Sequence, residues 1–176
     1  MPKLIPELRE RLVRSARERL LSSRVHDITV RDVAADCSTA VGTVYNYFPS
    51  KDYLIAAVML EDWFEAVESM KKGARAAGTV EEGFRSMDAA LRAFVDRYSP
   101  AWKRYSNHNG AVNRISEHHR DLVAAISGCV EELLDRFGRQ VSPAALEVLS
   151  EIVLTAGQRE PEALDALMPV IEKIIA

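Results

Sequence analysis

Along almost the whole chain, apolar residues recur every three or four positions with charged residues between them, and this period constrains the fold most. Leu8, Leu12, Ala16 and Leu20 draw one stripe; Val44 and Phe48 repeat the spacing, and Ile55, Met59, Trp63, Val67 and Met70 continue it. Phe84, Met87, Leu91, Phe94 and Tyr98 form another, followed by Ile115, Leu122, Ile126, Val130, Leu133 and Phe137. Leu146, Leu149, Ile152 and Val153 precede a last stripe of Leu164, Leu167, Met168, Ile171 and Ile175. A helix of 3.6 residues per turn gathers such positions on one face, and burying that face is what holds it. No segment alternates apolar and polar residues long enough to compete as a strand. The expected fold is all-α, with about nine helices.

Turn residues punctuate these stripes. Thr29-x-x-Asp32 and Thr79-x-x-Glu82 have the form of capping boxes, in which side-chain oxygens take up first-turn amides. Ser99-Pro100 and Ser142-Pro143 put a capping serine before a proline that needs no N–H, and so are expected to open helices. Gly78, Gly138 and Gly157 each follow a periodic run and are expected to stop it in a left-handed conformation. Residues 71–79 read as a small-residue connector, and Pro169 is expected to kink or split the last helix.

Composition removes several classes. With 48% apolar and 28% charged residues in 176, the chain can build a real core. Cys37 and Cys129 are too few for a disulfide framework or a four-thiolate zinc site. No apolar run reaches the length of a membrane span, and six arginines in the first 24 residues leave no room for a signal-peptide core. The expectation is a soluble cytoplasmic protein without cofactor. The net charge of −3 is uneven: residues 1–53 hold 9 Lys/Arg against 7 Asp/Glu, and residues 54–176 hold 14 against 19.

Residues 28–51, ITVRDVAADCSTAVGTVYNYFPSK, are the most informative. A short helix from about 30 to 36, a connector at 37–39 and a second short helix from about 40 to 48 make a helix-turn-helix, whose second helix enters the major groove of DNA. Val44 and Phe48 point to the core, which leaves Thr43, Asn46 and Tyr47 outward with Ala40 and Gly42. Exposed tyrosines are costly on an inert surface; against DNA, a phenol donates to phosphate while its ring packs on sugar. Lys51 opens the next helix, where the dipole disfavours a cation. Beside the turn and the tyrosines it makes sense as part of a phosphate clamp.

These blocks resemble the DNA-binding end of the tetracycline-repressor (TetR) family of transcription regulators. The resemblance rests on T-V-R-D-V-A-A, on V-G-T-V-Y-N-Y-F-P-S-K and on the L-I-A-A-V-M-L that follows, and it is close over about the first third of the chain. It implies that Arg31 reaches base edges and that Val41, Gly42 and Tyr45 lie along the recognition helix against bases. It implies that Thr43, Tyr47 and Lys51 hold phosphates, with Thr29 close to the backbone and Asn46 beside them. Tyr45 neighbours Val44 and reads equally as partly core, and Gly42 reads equally as a residue permitting close approach. Ser38 departs from the family, which usually has glycine in the turn; a left-handed serine costs on the order of 1 kcal/mol. Thr39 replaces a usual apolar residue.

The family resemblance further implies a division into a helix-turn-helix domain at 1–53 and a helical regulatory domain at 54–176 that dimerises and encloses an inducer. The residues themselves show stripes at 146–156 and 164–175 that could pair with copies of themselves. Trp63, Phe94, Tyr98, Trp102 and Tyr105 with His108, Asn109, Asn113 and His118 mix apolar area with orienting polar groups, as ligand pockets do. An aromatic stripe at helical spacing also fits plain core. His108 and His119 lack a well-spaced third metal ligand, and no phosphate loop or nucleophile pattern appears. The expected function is a non-enzymatic homodimeric repressor of double-stranded operator DNA, released by a small-molecule inducer, with no membrane partner. Cys37, beside the turn, reads as a small buried residue rather than a redox switch.

Overall fold

The computed structural model describes residues 7–22, 28–105 and 119–176, with backbone alone at 99–105 and 119. Eight helices cover the described residues: α1 Leu8–Leu21, α2 Val30–Asp36, α3 Val41–Tyr47, α4 Lys51–Ala76, α5 Val80–Tyr105, α6 His119–Arg136, α7 Pro143–Gly157 and α8 Ala163–Ile175. No strand occurs among them, and none of these helices is long and apolar enough to cross a membrane. The chain forms two compact units, 1–62 with 100–112 and 63–99 with 113–176. That division falls inside α4, between Asp62 and Trp63, because a single helix serves both units.

In the first unit the α1 stripe buries Leu8, Leu12, Val13, Ala16 and Leu20. Ile28, Val30, Val33 and Ala34 from around α2, Val44 and Phe48 from around α3, and Leu54, Ile55 and Val58 of α4 are buried with it. Thr29 caps α2 as its spacing predicts: its Oγ1 accepts from the Asp32 amide at 3.1 Å and donates to Asp32 Oδ2 at 2.6 Å.

The second unit is held by a larger apolar core from Trp63, Met70, Phe84, Met87, Leu91, Ile126, Leu133, Leu149, Val153 and Ile171, among others. Leucine side chains press directly onto the backbone where glycine stands. A Cβ on Gly83 would run into Leu133 Cδ1, and one on Gly157 would meet Leu91 Cγ at 2.6 Å. Two of the predicted caps form: Thr79 Oγ1 accepts from the Glu82 amide at 3.1 Å, and Ser142 Oγ from the Ala145 amide at 3.2 Å. Buried Cys129 keeps its proton, since burial pushes the thiol up to about 11.

Three punctuation marks read differently in three dimensions, and a fourth, Pro169, is narrowed. Ser99-Pro100 opens no helix, because α5 runs through it. A proline inside a helix costs about 3 kcal/mol, whereas burying each of Phe84, Met87 and Leu91 on the same helix contributes about 1.5–3 kcal/mol. Residues 71–79 are mostly helix, since α4 extends to Ala76 with Ala74 buried, and Gly73 leaves room there for Ser86. Gly138 alone of the three glycines has a positive φ, of 65°; Gly157 is there for its missing side chain. Pro169 does not split α8, which is anchored on both sides of it by buried Leu164, Met168 and Ile171.

Candidate nucleic-acid interface

The helix-turn-helix is built as its local chemistry dictates. α2 ends in a Schellman motif: the Thr39 amide donates to Ala34 O at 2.9 Å and the Ser38 amide to Ala35 O at 3.0 Å. Ser38 occupies the left-handed position with φ of 51°. The same motif closes α6, where Arg139 donates to Leu134 O, Gly138 to Asp135 O, and glycine fills the left-handed place. The serine thus sits in the strained left-handed conformation, and the turn keeps both of its hydrogen bonds.

α1 supplies the support. Arg11 Nη2 donates to the Cys37 carbonyl at 2.7 Å, at the C-cap of α2. Ser15 Oγ donates to Asp36 Oδ2 at 2.6 Å, and Arg19 grips both Asp36 oxygens at 2.5 and 2.6 Å. Arg19 and Ser15 together hold the Asp36 carboxyl down at about 2. Cys37 is buried and its thiol is pushed up by that burial, so it stays protonated and a poor nucleophile.

The surface offered by α2, α3 and the start of α4 carries most of the predicted residues. Thr29 and Arg31 are exposed at the start of α2. On α3, Val44 is fully buried, as is Phe48 just beyond it, while Gly42, Tyr45 and Asn46 are exposed and Val41, Thr43 and Tyr47 half-buried. Tyr45 is 48% exposed, so it is not a core residue. Nothing lies within 4 Å of a Cβ built on Gly42, so no neighbouring helix demands that glycine. Lys51 is half-buried as the first residue of α4, and Ser50 Oγ accepts from the Tyr53 amide at 3.4 Å.

The predicted ligand residues are described in part. Trp63 and Tyr98 are buried and Phe94 is half-buried; Trp63 meets Phe94 edge-on at 5.4 Å between ring centres, and Phe94 meets Tyr98 at 5.1 Å. Trp102 and Tyr105 belong to the last turns of α5. His108 and Asn113, with Asn109 and His118, lie outside the described residues. Among the described residues no group of three or more His, Cys, Asp or Glu could hold a metal ion.

Comparison with known proteins agrees with this construction. Residues 15–58 match the family model of bacterial regulatory proteins, tetR family. Over that segment the chain is similar to the tetR family. The transcriptional regulator UidR of Escherichia coli K12 is 30% identical over 64 residues, 36% of this chain and 33% of that protein. The match therefore spans about a third of the curated relative. Among solved structures, the TetR family repressor AlkX from Dietzia sp. strain DQ12-45-1b superposes with a TM-score of 0.62 at 18% identity, over 94% of this chain and 98% of that one. RolR, in complex with its ligand resorcinol, superposes at 0.61 and 19% identity, over 96% and 87%. At such identities the likeness is one of fold.

Sequence reasoning missed the residues that brace the head. Arg11, Ser15 and Arg19 stand at i, i+4 and i+8, and Arg9 and Arg17 at i and i+8, so their two faces on α1 were visible as spacing. Their partners were not, since Asp36, Glu61 and Asp62 lie 17 to 52 residues away.

Proposed function

We propose that the chain is a transcription regulator that binds double-stranded operator DNA as a homodimer, represses, and is released by a small-molecule inducer in the cytoplasm. The observation that carries this reading is α3 itself: a two-turn helix pinned by Val44 and Phe48 that turns Gly42, Tyr45 and Asn46 to solvent. Exposed Arg31 suits bidentate contact with guanine. Val41, Gly42 and Tyr45 would face bases, and Thr43, Tyr47 and Lys51 would hold phosphates, with Thr29 and Asn46 at the backbone. On this reading residues 1–53 are the DNA-binding domain and 54–176 the regulatory one.

Dimerisation draws support from α7 and α8. Val148 and Val170 are 49% and 45% exposed, and an open groove of about 480 Å³ is lined by Ala144, Val148, Ile152 and Leu167 with Glu147 and Glu151. A second copy would cover these apolar groups, and two recognition helices read the palindrome that one short helix cannot. The inducer reading draws on Trp63, Phe94 and Tyr98 and on the fold shared with RolR, which binds resorcinol. Ligand binding would favour a conformation whose recognition helices are spaced wrongly for DNA. A regulator of the same fold without an inducer draws on the same rings, since Trp63 already belongs to the core. A thermal-shift screen with small aromatic and aliphatic compounds separates the two.

The test is selection of duplexes from a random pool at low salt, followed by binding measurements. A selected palindrome is expected. Lys51→Ala weakens binding to all duplexes and lowers the salt slope by about one, while Arg31→Ala relaxes preference at one base by about 1–3 kcal/mol. A folded chain that enriches no duplex overturns the reading.

A further inference from the structure

The DNA-binding reading leaves unexplained a buried charge on α4. Asp62 has no exposed side-chain surface, and Arg17 Nε on α1 donates to its Oδ1 at 2.6 Å. The Arg17 fork also reaches Glu61 Oε2 at 3.2 Å, and Arg9 Nη1 takes Glu61 Oε1 at 3.0 Å. The Arg9 guanidinium lies 5.6 Å above the ring of Phe48, the residue that ends α3. The other face of α1 grips Asp36 and the Cys37 carbonyl at the end of α2. α1 is therefore fastened to the helix-turn-helix on one side and to the acidic pair of α4 on the other.

The geometry of that second fastening matters. α4 leaves α3 through Pro49-Ser50, and its first turns are packed through Leu54, Ile55 and Val58, apolar contacts that are tolerant of direction. Asp62 lies eleven residues along α4 from Lys51, about 16 Å at 1.5 Å per residue. A second attachment at that distance fixes direction. Stability alone would be served as well by apolar side chains of similar volume, because desolvating a buried ion pair offsets much of its attraction. A charge pair instead demands one register and one angle, and the spacing of paired recognition helices depends on the angle at which α4 departs.

We propose that Arg17 and Asp62, with Glu61 and Arg9 beside them, are positioning residues that aim α4 from the helix-turn-helix head and so set operator affinity. The inference rests on the DNA-binding reading, and its test keeps the two apart. The full-length wild type, Asp62→Asn and the double variant Arg17→Met/Asp62→Leu are compared by urea denaturation and by titration of a duplex selected on the wild type. The double variant is expected to unfold at or above the wild-type urea midpoint, yet to bind at least ten-fold more weakly with an unchanged salt slope. Asp62→Asn, which removes the buried charge facing Arg17 Nε, is expected to lose both stability and affinity. Binding by the double variant within two-fold of wild type overturns the proposal, as does a salt slope lowered by about one, which would make Arg17 itself a phosphate ligand. A double variant that cannot fold overturns it too, because the pair would then hold the fold rather than aim the helix. A wild type that selects no duplex fails the DNA-binding reading, a result distinct from these.

Discussion

The two units of the chain are held in different ways. The second relies on volume: large side chains such as Phe84, Met87 and Leu133 are fully buried, and glycines at 83 and 157 let helices touch. Its arginines close helix ends, Arg136 on the Ala74 and Ala77 carbonyls and Arg92 on Ala156 O and Arg159 O. The first unit, with shorter helices, is aligned by directional polar contacts from α1. Packing is tolerant of direction and costly to empty, whereas a guanidinium fork on a carboxylate is weaker and angularly demanding. A module that must present one small helix at a fixed angle gains from the second kind of contact.

The comparison can be broken where the expected effects are largest. Phe84→Ala in the second unit should lower unfolding free energy by about 3–5 kcal/mol, measured by urea denaturation, with little dependence on salt. A loss under 1 kcal/mol would show that its core collapses freely. Gly157→Val should cost about 1–3 kcal/mol, because the added carbons meet Leu91 Cγ and Cβ as well as its terminal Cδ2, so the leucine stem must move.

Smaller effects sharpen the account of the first unit. Ser38→Gly should raise stability by about 1 kcal/mol, since it puts at α2 the residue that already closes α6 in the same motif. An unchanged melting temperature would mean that Arg11 on the Cys37 carbonyl already relieves the strain. Asp36→Asn should cost under about 1 kcal/mol at neutral pH, because the carboxylate is partly exposed and screened. Its folded pKa of about 2 lies below the unfolded value, so the stabilisation is complete above that unfolded value and disappears as pH falls towards 2. The wild type should therefore lose this increment between about pH 4 and 2, and the variant should show a flatter curve there, read from melting temperature against pH.

Local signals made much of this legible. The 28–51 stretch carried α2, its cap and the turn with a left-handed serine, because those features depend on neighbours within four or five residues. The candidate reading surface followed from the same period, with Tyr45 resolved as exposed only when Val44 was seen to fill the core. Ser99-Pro100 and residues 71–79 misled for the converse reason: propensity favoured a break, and burial along α4 and α5 overrode it.

What the sequence determined by itself is the helical period, the capping chemistry and the residue types on α3, all properties of one helix or one turn. What only the tertiary structure decided is which arginines have protein partners. Arg9, Arg11, Arg17 and Arg19 show no partner in the sequence around them, yet each binds a carboxylate or carbonyl of another element. Charge pairing acts over a few ångströms in space, and chain separation carries no record of it.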